Sequence, residues 1–191
     1  LFEPEFGALM ARRAVEDLVA HSGVELVIGH ASPGASPNEV IVNGNRVSAA
    51  ATVFACGPWL PKVFPDLLSD RIFVTRQEVA FIAPPDGDDT FSATHLPGWA
   101  DFNGGDLYYG FPNLEGRGFK IARDYHGEAF DPDTGDRRMS ETGADLLKRF
   151  AKHRFPALAE RPFTEFRVCQ YENSSSGDFL IDRHPDQPHV Y

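Results

Sequence analysis

The chain has 191 residues, of which 42% are hydrophobic, and it carries a formal net charge of −10. This length suffices for one sizeable core, or for one domain and part of another. No apolar run approaches the length that crosses a bilayer, and the acidic balance argues against binding nucleic acid or anionic membranes through bulk electrostatics. The 2 cysteines provide no disulfide framework and suit a reducing compartment.

The first third of the chain predicts a helix followed by short strands. An amphipathic pattern begins after Pro4 and is closed by Gly23, as expected of a helix. The dipeptide Asn43-Gly44 lies between two apolar segments and predicts a β-hairpin. The predicted strands are Val24–Ile28, Glu39–Val42, Arg46–Ala49 and a doubly buried Ala49–Ala55, with a loop at Ala31–Asn38.

The remainder of the chain is richer in strands and predicts an α+β fold without internal repeats. A long strand is predicted at Ile72–Ile82, with a break near Gln77. A helix capped by Ser140 or Thr142 should run through His153, because Pro156 follows its end. The other predicted strands are Thr90–Thr94, Leu107–Phe111, Phe119–Arg123, Phe166–Tyr171 and Phe179–Asp182.

The last quarter carries the most distinctive motif. It reads Arg167-Val168-Cys169-Gln170-Tyr171, then a polar turn, then Asp178 through Pro185. An alternating strand places Cys169 and Tyr171 on the same side. This segment resembles the one that carries covalent FAD in the sarcosine oxidase and N-methyltryptophan oxidase family, which are D-amino-acid-oxidase-like flavoenzymes. The resemblance implies that the sulfur of Cys169 is bonded to the flavin.

Further stretches agree with this resemblance and occur in the family's order. The family's motifs V-V-x-A-x-G-x-W, Y-Y-G-F-P, G-x-K and D-P-D-T are matched by Ala51–Trp59, Leu107–Pro112, Gly118–Ile121 and Phe130–Thr134. The resemblance implies that Gly57 and Trp59 lie close to the flavin and belong to the cofactor site. It also implies a catalytic Lys120, whose ammonium stabilises the anion formed when oxygen accepts an electron.

The resemblance further implies substrate-binding residues. Tyr109 and Tyr171 match tyrosines that line the family's substrate cavity. The family often has a histidine four residues after the lysine, where this chain has Asp124. His126 lies two positions further on and is the candidate for this role. The departure leaves the class of substrate open.

The candidate site residues also have ordinary structural interpretations. A cysteine in an apolar strand is most often a small buried hydrophobic residue, and strand tyrosines usually pack in a core. Most lysines are solvated. A functional role of Cys169 is favoured by Arg167, which lies two residues before it on the same side of the strand, where its cation favours a thiolate. No histidine, cysteine or carboxylate set has the spacing of a metal site.

The glycine-rich G-x-G-x-x-G turn that opens the family's FAD domain does not occur in the sequence. We therefore expect residues 1–62 to form part of a Rossmann-like FAD-binding domain. Residues 63–182 should form the substrate domain, an antiparallel or mixed sheet with flanking helices, and residues 183–191 should return to the FAD domain.

The expected function is oxidation of a secondary amine of an amino acid to an imine, with O₂ reduced to H₂O₂. The expected partners are a small amine and O₂, with no nucleic acid or membrane. The expected location is cytoplasmic, or peroxisomal in a eukaryote. Two alternatives remain open. One is a non-catalytic substrate-binding or interaction domain, and the other is a flavin dehydrogenase with another electron acceptor.

Overall fold

The structure, a computed structural model, describes residues 2–36, 38–102 and 105–191. The chain forms two compact units. The first unit contains the residues up to Leu9 together with Thr75–Tyr171, and the second contains Met10–Val74 and Glu172–Tyr191. Among the described residues, no helix is long and apolar enough to cross a membrane.

The second unit holds the shorter elements. Its helices are α1 (Ala11–Ser22), α2 (Leu60–Val63) and α3 (Pro65–Leu68), with a 3-10 turn at Gly57–Trp59. Its antiparallel sheet has the order β1 (Ala31–Pro33), β2 (Glu39–Val42) and β3 (Asn45–Ser48).

A five-stranded sheet dominates the first unit. Its strands are β4 (Ile72–Ile82), β5 (Trp99–Asp101), β6 (Leu107–Phe111), β7 (Phe119–Asp124) and β8 (Phe163–Ser174). Their order in the sheet is β5-β6-β7-β4-β8. Neighbouring strands are antiparallel in the β5/β6, β6/β7 and β4/β7 pairs. The helix α4 (Glu141–Arg154) and a 3-10 turn at Pro156–Leu158 precede the last strand.

One face of this sheet packs against α4 and forms the main core. Ile82, Phe119 and Ile121 are fully buried there, and burying a side chain of this size stabilises the fold by about 1.5–3 kcal/mol. The ring of Tyr108 stacks on Phe150 of α4 with centroids 3.9 Å apart. Because successive strand residues point to opposite faces, Tyr109 and Lys120 project from the other side.

The start of α4 follows the sequence prediction. Ser140 has extended dihedral angles, and its Oγ accepts a hydrogen bond from the Gly143 N–H. This side chain satisfies one of the donors that a helix N-terminus leaves unpaired. Pro156 begins the turn after the helix ends, as predicted.

The α+β class, the β2/β3 hairpin and the end of α1 are also confirmed. Asn43 and Gly44 have positive φ of 51° and 81°, as the two-residue turn requires. Gly23 terminates α1 in the left-handed conformation. The predicted start of α1 was wrong, because the helix begins at Ala11 and not after Pro4. Met10 at its N-cap makes no capping hydrogen bond, so no capping residue marks this boundary.

Several predicted strands are wrong. Val24–Ile28 and Phe179–Asp182 have no strand structure among the described residues, and Phe179 is fully exposed. In place of the doubly buried strand Ala49–Ala55 there is one bridge, from Thr52 to Val190, and Val53 is 71% exposed. Apolar runs become strands only where a neighbouring strand accepts their backbone hydrogen bonds.

The remaining differences concern short elements. Thr90–Thr94 forms a turn with a single bridge between Ser92 and Asn113, and the predicted break at Gln77 is absent because Gln77 is fully buried within a continuous β4. The strand β1 falls within the predicted loop, and β5 was not predicted. Each of these two strands has only three residues and pairs with one neighbour.

Candidate functional site

The sheet face opposite α4 brings together four of the predicted site residues. We call it the site face, and it comprises Tyr109, Lys120, Cys169 and Tyr171 above a floor of Val79, Phe81 and Ala122. The register explains the grouping, because Lys120 lies directly opposite Phe111 on β6 and Phe81 on β4. Directly paired residues of an antiparallel sheet project to the same side.

Lys120 occupies the centre of the site face and is half buried. Its Nζ lies 5.4 Å from the ring centroid of Tyr109 and 5.1 Å from that of Phe111. Burial lowers the pKa of Lys120, the thiol of Cys169 opposes this, and the nearby cations of Arg117 and Arg167 lower it further. No carboxylate of the described residues forms an ion pair with Lys120. The two aromatic rings therefore contribute cation–π stabilisation to the ammonium.

The turn before Lys120 is fixed by several contacts. Gly118 has a φ of 109°, and a Cβ at this position would lie 2.6 Å from Thr164 Oγ1. The Gly118 N–H donates to Asn113 Oδ1 at 2.8 Å, and the Thr164 hydroxyl donates to the Arg117 carbonyl at 2.7 Å. Both the dihedral angle and the close approach require glycine. The glycine of the G-x-K motif thus determines where the lysine leaves the turn.

Tyr109 and Tyr171 form a pair of phenols. Their hydroxyl oxygens are 2.9 Å apart, although the two residues lie 62 positions apart in the sequence. Burial raises the pKa of Tyr109, and the hydrogen bond with Tyr171 raises it further. Tyr109 therefore remains a neutral phenol at physiological pH.

Cys169 contributes the only sulfur of the site face among the described residues. It is a free, half-buried thiol that packs against Val79, Phe81 and Ala122. Arg167 precedes it by two positions on the same strand, and its Nε donates to Glu165 Oε1 at 2.6 Å. The thiol therefore packs on buried apolar side chains, and the cation of Arg167 lies two positions away on the same strand.

Gly57 and Trp59 belong to the second unit. Gly57 has a φ of 54° and borders a mostly apolar cavity of about 620 Å³ that lies wholly within this unit. Trp59 is 38% exposed in the same 3-10 turn. Glu172 lines the cavity, and burial raises the pKa of its carboxyl. The role of Gly57 and Trp59 in cofactor binding stays a prediction.

His126 lies in the exposed turn after β7, two positions beyond Asp124, the last residue of that strand. Its role in substrate binding stays a prediction. The sequence did not reveal Arg117 or Glu165 as part of the site. These residues are 48 positions apart and meet only because β8 and the turn before β7 lie together in the folded sheet. No local pattern could have indicated that pair.

The sheet face combines a floor of apolar side chains with a thiol, a half-buried ammonium and paired phenols, which suits a protein that binds a flat redox cofactor. A comparison of the sequence with protein families agrees with this class. Residues 1–191 match the family DAO, described as FAD dependent oxidoreductase, and the chain belongs to that family.

Named relatives include two kinds of amine oxidase. Monomeric sarcosine oxidase from Bacillus sp. (strain B-0618) is 27% identical over 201 residues, covering 100% of this chain and 51% of the relative. N-methyl-L-tryptophan oxidase from Yersinia pestis (strain Pestoides F) is 27% identical over 206 residues, covering 100% of this chain and 52% of the relative. The chain thus spans about half the length of the curated relatives it matches.

Solved structures support the fold. The modified fructosyl peptide oxidase from Aspergillus nidulans in complex with FSA superposes with a TM-score of 0.74 at 14% identity, covering 94% of this chain and 47% of that chain. Glycine oxidase from Geobacillus kaustophilus gives a TM-score of 0.60 at 21% identity, covering 80% of this chain and 37% of that chain. The chain therefore shares the fold of FAD-dependent oxidases.

Membership of the family implies FAD as the cofactor. The residues of the site face fit that group. The phenols of Tyr109 and Tyr171 and the free thiol of Cys169 are partly exposed and can contact a flat ring, and Val79, Phe81 and Ala122 are buried beneath them and support them. The cation of Lys120 lies on the same face, where it can interact with negative charge on a ring or on oxygen.

Proposed function

We propose that the protein containing this chain is an FAD-dependent oxidase that converts a secondary amine of an amino acid to an imine and reduces O₂ to H₂O₂. The observation that carries the proposal is the half-buried ammonium of Lys120, which has aromatic neighbours and no carboxylate partner among the described residues. The two named relatives are oxidases of N-methylated amino acids and support this class of substrate.

The cofactor supplies the redox chemistry by accepting the electron pair of the C–H bond beside nitrogen and passing it to O₂. Lys120 provides the positive charge that stabilises the anion formed on oxygen. A charge acts most strongly where water is partly excluded, and Lys120 is half buried among aromatic rings.

The paired phenols of Tyr109 and Tyr171 bind and orient the substrate in this proposal. Each is held in place by its hydrogen bond to the other, so less freedom is lost when a substrate binds. Neutral hydroxyls can hydrogen-bond either the carboxylate or the amine of an amino acid. His126 is proposed as a further substrate contact, and Gly57 and Trp59 as contacts to the cofactor.

Cys169 is proposed to hold the cofactor through a thioether. The new S–C bond would replace the S–H bond of the thiol and one C–H bond of a methyl group on the flavin ring. The electron pair would pass through the ring to O₂, which would take up the two protons to give H₂O₂. Its sulfur lies on the site face above the apolar floor, and the cation of Arg167 lies two positions away on the same strand. The bond would fix the distance between the cofactor ring and Lys120. Its contribution is orientation rather than redox chemistry.

The proposed function is tested with the purified full-length protein in air. We expect one H₂O₂ per amine oxidised from sarcosine or another N-methylated amino acid, and much less from the matching primary amine. The same preparation, denatured in acid and separated on a gel, should show flavin fluorescence on the protein band, which Cys169→Ser should abolish.

Peroxide formation tests the oxidase proposal, and flavin fluorescence on the band tests the thioether, so each proposal can be rejected separately. A dark wild-type band with flavin in the supernatant would contradict the thioether and leave the oxidase proposal intact. A flavin-containing protein that is reduced by the amine in the absence of air but forms no H₂O₂ in air would identify a dehydrogenase. A protein that purifies without flavin and cannot be loaded with it would contradict both proposals.

A further inference from the structure

Two arginines are gathered beside Lys120 by one carboxylate. Arg117 donates from Nε to Glu165 Oε2 at 3.1 Å and from Nη2 to Oε1 at 2.9 Å. Arg167 donates from Nε to the same Oε1 at 2.6 Å. The Cζ of Arg117 also lies 4.3 Å from the ring centroid of Phe81, which is directly opposite Lys120 in the sheet.

This arrangement depends on Glu165. Two guanidinium groups that share one carboxylate oxygen would repel each other without it. Their side chains are 37% and 47% exposed, so both could move into solvent if the carboxylate were lost. Glu165 therefore keeps two positive charges on the site face.

Resting on the proposed function, we propose that Glu165 is a positioning residue that holds Arg117 and Arg167 on the site face, so that Lys120 donates a proton to reduced oxygen. Formation of H₂O₂ requires that O₂ take up two electrons and two protons. The electron pair and one proton come from the reduced cofactor. The second proton comes from the Lys120 ammonium, which regains it from water.

The positive charges of the two arginines favour proton donation by Lys120. Arg117 and Arg167 both lower the pKa of Lys120, in addition to the larger effect of burial. The adjacent part of β4 presents only the apolar side chains of Val79 and Phe81. Among the described residues, the titratable and charged groups on the same side of the sheet as Lys120 are Tyr109 from β6, Arg117 from the turn before β7, Asp124 at the end of β7, and Glu165, Arg167, Cys169 and Tyr171 from β8.

Removing the carboxylate of Glu165 distinguishes a positioning role from a direct electrostatic effect, because the two predict opposite changes in the pKa of Lys120. If Glu165 acted directly on Lys120, its loss would destabilise the ammonium and the pKa of Lys120 would fall. If Glu165 acts by holding the two arginines, its loss releases them into solvent. The pKa of Lys120 would then rise toward the ordinary range of lysine.

The measurement is an NMR titration of the full-length protein with ¹³C-labelled lysine side chains, in which Lys120→Met identifies the Lys120 signal. In Glu165→Gln we expect the titration midpoint of Lys120 to move to higher pH. Glu160→Gln, which removes an exposed carboxylate outside this cluster, should leave it unchanged. A midpoint that falls or stays constant in Glu165→Gln would overturn the proposal.

A combined variant tests whether the arginines carry the effect. Arg117→Gln with Arg167→Gln should raise the midpoint by itself, and adding Glu165→Gln should then change nothing further. An additional shift would show that Glu165 acts without the arginines. The double arginine variant also serves as the test if Glu165→Gln does not fold, as judged by circular dichroism.

The proton transfer has its own readout. In Glu165→Gln the alkaline limb of the rate of flavin reoxidation by O₂ should move to higher pH by the same amount as the NMR midpoint. An NMR shift without a shift of this limb would contradict proton donation by Lys120. The titration needs neither substrate nor O₂, so it can succeed even if the peroxide experiment rejects the oxidase.

Discussion

Replacing Lys120 by Met in the full-length protein should slow the reoxidation of reduced flavin by O₂ roughly a hundredfold, which is what the loss of one preorganised electrostatic group costs. The reason is that Lys120 supplies a half-buried cation where negative charge develops on oxygen. Methionine keeps the length of the side chain and removes the charge. Stopped-flow mixing of reduced protein with O₂ measures this rate.

Reduction of the flavin by the amine is the internal reference for this experiment. Without O₂ no anion forms on oxygen, so Lys120→Met should change the anaerobic reduction rate far less. Lys152→Met, on the exposed side of α4, should leave both rates unchanged. Equal slowing of both half-reactions would mean that Lys120 has a structural role. Unchanged reoxidation would mean that O₂ does not react beside it.

The largest effect on stability is expected from Arg76→Met. Arg76 and Glu78 form a buried ion pair at 2.7 Å, with side-chain exposures of 9% and 6%. Glu78 also accepts hydrogen bonds from the N–H and hydroxyl of Ser140 at the start of α4. Arg76 donates in addition to the backbone carbonyls of Asp136 and Arg138. Removal of the cation leaves the carboxylate buried and uncompensated.

We expect this substitution to lower the free energy of unfolding by about 3–5 kcal/mol, as is usual when one partner of a buried ion pair is removed. Urea denaturation of the full-length protein measures the change. The matched control is Arg138→Met, because its ion pair with Asp136 is largely exposed and should contribute far less to the free energy of unfolding. Adding Glu78→Gln to Arg76→Met should restore part of the loss. A loss of unfolding free energy in Arg76→Met that is smaller than the loss in Arg138→Met would contradict the structural role of the Arg76–Glu78 pair.

The sequence predicted those elements that carry their own local signals. The α4 boundaries followed from Ser140 and Pro156, and the hairpin followed from Asn43-Gly44. Alternation within β6–β8 also placed Tyr109, Lys120 and Cys169 correctly on strands. Their assignment to one site depended on the family resemblance, because alternation alone does not specify which strands are neighbours.

The features that the sequence could not predict depend on partners far away in the chain. Val24–Ile28 and Phe179–Asp182 have strand-like composition, but composition provides no pairing partner, and neither range is a strand in the structure. The contact of Arg117 with Glu165 and the phenol pair of Tyr109 and Tyr171 join residues 48 and 62 positions apart. Such contacts can be predicted only when the strand order β6-β7-β4-β8 is known.

In the proposed function the flavin ring lies over the site face and not over the face covered by α4. Tyr108 and Tyr109 are adjacent in sequence and point to opposite faces of β6, so they form a matched pair of probes. The measurement is ¹⁹F NMR of the full-length protein labelled with fluorotyrosine, before and after chemical reduction of the flavin. Single Tyr→Phe variants identify each signal. We expect the Tyr109 signal to shift on reduction while that of Tyr108 remains in place. A shift of Tyr108 equal to or larger than that of Tyr109 would contradict the location of the cofactor.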